Sequence, residues 1–261
     1  MKLFRSVRRR LKAPKLGDNY SEWREAQWAP ASADTGNYRF LALQPIFNRR
    51  RKLFGYEALH RSDWNNCFSG DPNAATQAMI DNWLLHGLDE LTGNSRTFIN
   101  CTGEALTQQA LTLLPNRVVL ELLETVEPSM EILSACRRLK ALGYQIALDD
   151  FQPTEKMDPL LALADYIKVD FRLSDARQRR EISHRLEGRS AVLIAEKIET
   201  EEEFTIALSE GFHLFQGYHL GRPALFSKQR IPPMEINHFR SRLPSQQGRP
   251  AAVFSTGHGM A

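Results

Sequence analysis

The chain has 261 residues, 42% of them hydrophobic and 25% charged, with a net charge of +3. That is enough apolar material for one large domain or two small ones, the charge is unremarkable, and no DNA binding is expected. No apolar run reaches the ~18 residues that a membrane span needs, and three cysteines, Cys67, Cys101 and Cys136, form no CxxC pair, so neither a disulfide framework nor a zinc knuckle is indicated and a reducing cytoplasm is the simplest compartment.

The chain opens on MKLFRSVRRRLKAPK, which carries basic residues and no acid. Leu3, Phe4, Val7 and Leu11 would share one face of a helix whose other face is basic, so this extension reads either as a solvated tail or as a peripheral membrane contact. Residues 1–38 are taken as the extension, 39–243 as a barrel domain, and the small, polar, unpatterned residues 244–261 as a flexible tail.

Between the ends one theme repeats: a short apolar run, a polar residue at or near its end, then a helical stretch. The expected strands are 40–47, 53–59, 97–100, 118–124, 145–150, 165–170, 191–196 and 212–217. Helices are expected over 74–91, 103–114, 128–142, 159–163, 175–186 and 200–209. Strands alternating with helices indicate an α/β fold, a (β/α)8 TIM-like barrel. The first two runs are joined only by the turn-like NRRRK (48–52, read as Asn48 to Lys52), too short for a helical crossover, so the first strand is antiparallel.

The polar residues of those strands are Glu57, Asn100, Glu121, Asp149 with Asp150, Lys168, Glu196 and Gln216. Taken singly, Glu121 or Asp149 reads more often as a helix cap or an ion-pair partner, Lys168 as the partner of a buried carboxylate, and Gln216 before Gly217 as turn chemistry. Taken together they point elsewhere, because a charged group on a buried strand is costly unless paired or metal-bound, and a barrel brings its strand C-termini to one mouth. Carboxylates with an amide oxygen are hard ligands, suited to Mg2+ or Mn2+. Two such ions sharing a bridging carboxylate clamp a phosphoryl group for in-line attack, and the Asp149-Asp150 step has the form of such a bridge.

With QPI at 44–46, EAL at 57–59, FIN at 98–100, Glu121 and Glu124 at Glu-x-x-Glu spacing, LDDF at 148–151, IKVD at 167–170, AEKIET at 195–200 and FQGY at 215–218, the chain from Leu41 to Pro223 resembles the EAL domain family of cyclic di-GMP phosphodiesterases. The resemblance implies a barrel with an antiparallel first strand, and hydrolysis of cyclic di-GMP (c-di-GMP) to linear pGpG with two Mg2+ or Mn2+ ions, Ca2+ being inhibitory. It implies that Glu57, Asn100, Glu121 and Asp149 hold the first metal, with Asp149 shared and Asp150 serving the second. Lys168 is implied to orient the attacking water and Glu196 to assist its deprotonation or support the second metal. Gln216 is placed near the scissile phosphate, Arg61 on a phosphate, Gln44 near a guanine, Leu59 against the ligand, and Glu124 as the anchor of the loop after Asp150.

Three features depart from the family pattern. The usual glycine-rich loop after Asp-Asp-Phe is replaced by Gln152-Pro153-Thr154-Glu155-Lys156, which removes conformational freedom and one N–H donor. Lys197 stands where the family usually has glycine, placing a cation beside Glu196. The wording around these sites resembles the branch often fused to HDOD domains, yet too few residues follow FQGY for such a partner. Regulation is therefore expected through the extension, the altered loop or a regulatory protein partner, and a homodimer is among the expected assemblies. The alternatives to the enzyme are a c-di-GMP-binding effector or protein-interaction module without useful turnover, and an unrelated barrel metalloenzyme.

Overall fold

A computed structural model describes residues 38–61, 71–86, 92, 93 and 95–229. Apart from Tyr38, the basic extension and the C-terminal tail lie outside the described residues, as does Cys67.

Strands β1 (Tyr38–Asn48), β2 (Leu53–Arg61), β3 (Arg96–Cys101), β4 (Val118–Leu122), β5 (Gln145–Leu148), β6 (Tyr166–Asp170), β7 (Val192–Glu196) and β8 (Leu214–Phe215) form one sheet. It closes through the order β2-β3-β4-β5-β6-β7-β8-β1 with β1 returning to β2. The chain is thus a TIM-like barrel in which β1 runs antiparallel to β2 and β8, while β2 through β8 are mutually parallel. The β1–β2 turn explains the reversal. Asn48 Oδ1 accepts the backbone N–H groups of Arg50 at 2.9 Å and Lys52 at 3.0 Å, and Arg51 takes a left-handed φ of 56°.

Strand β9 (Ala224–Gln229) lies outside the expected set. It pairs antiparallel with the first half of β1, Leu43 opposite Ala224, beyond the part of β1 that meets the two-residue β8.

Helices α1 (Pro72–His86), α2 (Gly103–Thr107), α3 (Met130–Ala141), α4 (Asp158–Leu161), α5 (Ala176–Arg185) and α6 (Glu201–Ser209) follow the strands. Their starts are written in the sequence. Ser129 caps α3 by accepting the Ile132 N–H, and Asp175 with Gln178 and Thr200 with Glu203 form capping boxes on α5 and α6. Ile132, Leu133, Ala135, Cys136 and Leu139 recur at helical spacing and are the buried face of α3. Among the described residues no helix is long and apolar enough to cross a membrane.

Two apolar regions result, because successive strand side chains point to opposite faces. The larger fills the space between sheet and helices. The smaller fills the barrel itself with Ile46, Phe98, Val119, Ala147, Tyr166, Ile194 and Leu214. Two residues further toward the mouth on each strand come Gln44, Asn100, Glu121, Asp149, Lys168, Glu196 and Gln216. One step of the pleat therefore separates a dry plug from a polar ring.

Strand β2 needs a correction to join that ring. Phe54 packs against the plug, and strict alternation would turn Glu57, three residues on, to the other face. The β1–β2 register shifts between Ile46 and Phe47, which pair with Gly55 and Leu53 respectively, and this irregularity restores Glu57 to the mouth.

Gly217 follows the ring residue Gln216 and packs directly on the β7 exit loop, where an added Cβ would lie 2.1 Å from the Ile198 carbonyl oxygen. Gly217→Ala is expected to cost about 2 kcal/mol or more, read from urea unfolding. A variant as stable as the parent would show that this contact relaxes freely.

Candidate active site

At the centre of the ring is Lys168, supplied by the middle of β6 and only 1% exposed. Its Nζ pairs with Glu121 from β4, with Asp149 Oδ1 at 3.0 Å and Glu196 Oε1 at 2.8 Å, and lies 3.8 Å from Glu57 Oε2. Gln216 Nε2 donates to Glu57 Oε2 at 2.6 Å, and Asn100 Nδ2 donates to Glu57 Oε1 at 3.4 Å. The structure therefore brings together Glu57, Asn100, Glu121, Asp149, Lys168, Glu196 and Gln216 from separate strands. Of these, Glu57, Asp149, Lys168, Glu196 and Gln216 line a mouth cavity of about 200 Å³ together with Gln44, Leu59, Asp150 and Lys197, while Glu121 is fully buried beside Lys168.

Carboxylates outnumber the ammonium they surround, and the titration behaviour shows it. Burial alone would lower Lys168, but Asp149 and Glu121 above all hold it well above the ordinary lysine range. Burial pushes Glu121 up, against the pull of Lys168, with Asp149, Glu57 and Glu196 adding to the rise. Glu196 is pushed up to about 8 by burial, Lys168 opposing. For Asp149 burial is outweighed by the charge and hydrogen bond of Lys168, so its pKa falls, whereas Asp150 is raised by burial and by Asp149 beside it.

The donor set fits a hard divalent cation. Asn100 Oδ1 and Glu121 Oε2 are buried oxygens that lack a hydrogen-bond partner among the described residues, a costly condition unless an electropositive group meets them. Their amide and carboxylate chemistry, with Glu57 and Asp149 alongside, matches Mg2+ or Mn2+. One oxygen each from Asp149, Asp150 and Glu196 also lie within 4.8 Å of one another, a second place where carboxylates converge.

The remaining expected site residues are arranged around this ring. Gln44 Nε2 donates to the Gly221 carbonyl at 3.4 Å, beside the mouth. Leu59 lines both the mouth and an adjoining, more apolar cavity of about 320 Å³, whose wall also carries Arg61, Asn100 and Glu124. Arg61 Nη1 donates to the neighbouring His60 carbonyl at 3.0 Å. Glu124 is exposed, and among the described residues no hydrogen bond or ion pair joins it to the loop at 152–156. That loop begins with Phe151, buried and donating its N–H to the Lys168 carbonyl at 3.0 Å, and carries an exposed ion pair between Lys156 and Glu127 at 2.8 Å.

Asp170 was not among the expected site residues. It is buried at the end of β6, on the same face as Lys168, and its carboxylate accepts the Arg172 N–H at 2.7 Å, the Leu173 N–H at 3.2 Å, and a hydrogen bond from Lys197. The signal was the two-residue spacing from Lys168 in YIKVD, which puts both side chains on one face.

The EAL domain family matches residues 32–223. The chain belongs to that family. It is 36% identical over 197 residues to the uncharacterized protein YuxH of Bacillus subtilis, covering 72% of this chain and 48% of that protein. It is 32% identical over 223 residues to the cyclic di-GMP phosphodiesterase CdgJ of Vibrio cholerae, covering 81% of this chain and 52% of CdgJ. The chain thus spans about half the length of these curated relatives. Among solved structures, the manganese and c-di-GMP complex of Klebsiella pneumoniae BlrP1 has a TM-score of 0.58 at 22% identity, over 78% of this chain and 62% of that one, a likeness of fold.

Lys168→Met removes the ammonium and leaves Glu57, Glu121, Asp149 and Glu196 facing one another. The variant is expected to lose about 3–5 kcal/mol in metal-free buffer, with part of the loss restored by Mn2+ in thermal melts. Equal stability of variant and parent without metal would mean that the ring does not depend on this ion pair.

Proposed function

We propose that the chain is a Mg2+- or Mn2+-dependent phosphodiesterase that hydrolyses one linkage of c-di-GMP to give linear pGpG. The observation that carries the reading is the polar ring of an EAL barrel in which Asn100 Oδ1 and Glu121 Oε2 are buried without partners beside Glu57 and Asp149. The named activity of the Vibrio relative supports it.

Glu57, Asn100, Glu121 and Asp149 would hold the metal, which when bound polarises the phosphodiester and acidifies a water. Gln216 and Asn100 fix the Glu57 carboxylate through their amides. Lys168 stays protonated and would turn one N–H toward the attacking water, and Glu196, in its ionised form, would take the proton. Oxygen adds to phosphorus as the bond to the 3′-oxygen breaks. That oxygen leaves with a proton and the new 5′-phosphate stays on the other nucleotide. Arg61 would meet the second phosphate, and Gln44 and Leu59 the nucleobase side of the ligand. A cytoplasmic setting suits the free, buried thiols of Cys101 and Cys136.

Binding without turnover is the second reading, and Lys197 favours it, since its Nζ lies 3.4 Å from both oxygens of Asp150. Ca2+ separates the two. Its ligands sit at about 2.3–2.6 Å in loose geometry, against roughly 2.0–2.1 Å for Mg2+. We expect c-di-GMP to bind in Ca2+ uncut and to be converted to pGpG when Mg2+ or Mn2+ replaces it, followed by chromatography. Glu57→Ala should lower that conversion by more than about a hundredfold, because losing even an indirect metal partner costs 10–100-fold. Tight binding with no product under Mn2+ would establish the effector reading instead.

A further inference from the structure

Lys197 follows Glu196 at the end of β7 with φ at 57°, and Asp150 follows Asp149 with φ at 40°. Both are left-handed conformations that side chains other than glycine adopt at a cost. They face each other across the mouth. Strain of this kind persists where the surrounding structure holds it, and here the holding group is identifiable. Asp170 is buried, one of its oxygens is fixed by the Arg172 and Leu173 amides, and the other accepts the Lys197 ammonium. So anchored, Lys197 Nζ sits equidistant, at 3.4 Å, from the two carboxylate oxygens of Asp150. Asp150 is in turn one of the three carboxylates that converge at the second candidate cation position.

We propose that Lys197, positioned by Asp170, is a built-in cation that takes the place of a second divalent ion at Asp150. The chain then loads one divalent ion, held by Glu57, Asn100, Glu121 and Asp149, where two such ions were expected. The inference rests on the metal reading above and adds to it a stoichiometry. A dication approaching Asp150 meets a like charge that cannot withdraw without leaving the buried Asp170 carboxylate unpaired. The tethered ammonium neutralises one charge beside the phosphate, but it cannot acidify a water as a metal does, so activation of the water falls to the single ion and the Lys168 and Glu196 pair.

The test is Mn2+ stoichiometry on the whole chain, by equilibrium dialysis and calorimetry in the presence of c-di-GMP, with electron paramagnetic resonance to detect a spin-coupled pair. Four proteins are compared: the parent, Lys197→Arg, Lys197→Met and Lys197→Gly. The last suits the left-handed backbone, and Lys197→Met keeps most of the unbranched stem while removing the charge. One ion is expected for the parent and Lys197→Arg. Two are expected for Lys197→Met and Lys197→Gly, with the second ion bound at least about tenfold more tightly than to the parent. Two ions on the parent, or one on every variant, would overturn the inference while leaving the metal reading standing. No Mn2+ on any of them would overturn the metal reading and this inference with it.

Discussion

Lys168 places an ammonium between carboxylates contributed by β2, β7 and the segments at the ends of β4 and β5, in a barrel interior from which water is largely excluded. No pair of these acids could approach so closely without it, because like charges at such distances in a poorly screened setting repel by several kcal/mol. The single cation does not neutralise them all. What the ion pair leaves over, excess negative charge and, among the described residues, the unpartnered oxygens Asn100 Oδ1, Glu121 Oε2 and Gln216 Oε1, is what would suit the mouth to a cation. Assembly of the ring and the metal binding proposed for it would thus be two consequences of one arrangement.

The two-residue pleat turns that arrangement into something readable in sequence. Each strand offers an apolar side chain to the plug and, one repeat later, a polar one to the ring: Phe98 then Asn100, Val119 then Glu121, Ala147 then Asp149, Tyr166 then Lys168, Ile194 then Glu196. Given strands separated by helices, parallel pairing brings all those polar ends to the same side, and closing the sheet into a barrel gathers them around one mouth. This is why the architecture and most of the ring were legible before any coordinates, and why the short Asn48 to Lys52 connection already marked the antiparallel first strand. The capping residues Ser129, Asp175 and Thr200 likewise set helix starts through chemistry that operates within a few residues.

Features that depend on distant partners were not legible. Strand β9 follows Pro223 directly, with no helix to announce it, and owes its existence to the free edge of β1 beyond a two-residue β8. The register irregularity near Phe54 exists because Glu57 and the plug must both be satisfied on one strand, a demand that no local pattern states. Asp170 in YIKVD reads as an ordinary strand-end acid until Lys197, from the next strand, is seen in its grasp. Glu124, read as a loop anchor by resemblance, lies on the wall of the apolar cavity, and the loop at 152–156 has ties through Phe151 and through the Lys156 pair with Glu127.

The two lysines of the mouth make a useful contrast. Lys168 is 1% exposed and enclosed by acids on the ring, so most of its charge is balanced within the protein. Lys197 keeps a side chain 46% exposed, with its ammonium shared between a buried acid and one that opens to the cavity. A charge in that second position acts on whatever enters, since solvent screens it incompletely and the low-dielectric wall beneath focuses its field. An anionic phosphodiester is attracted by it and a divalent cation repelled. On the proposal made above, one substitution at a left-handed backbone position would shift a barrel mouth from recruiting a second metal toward holding a phosphate directly, without altering the ring that Lys168 organises.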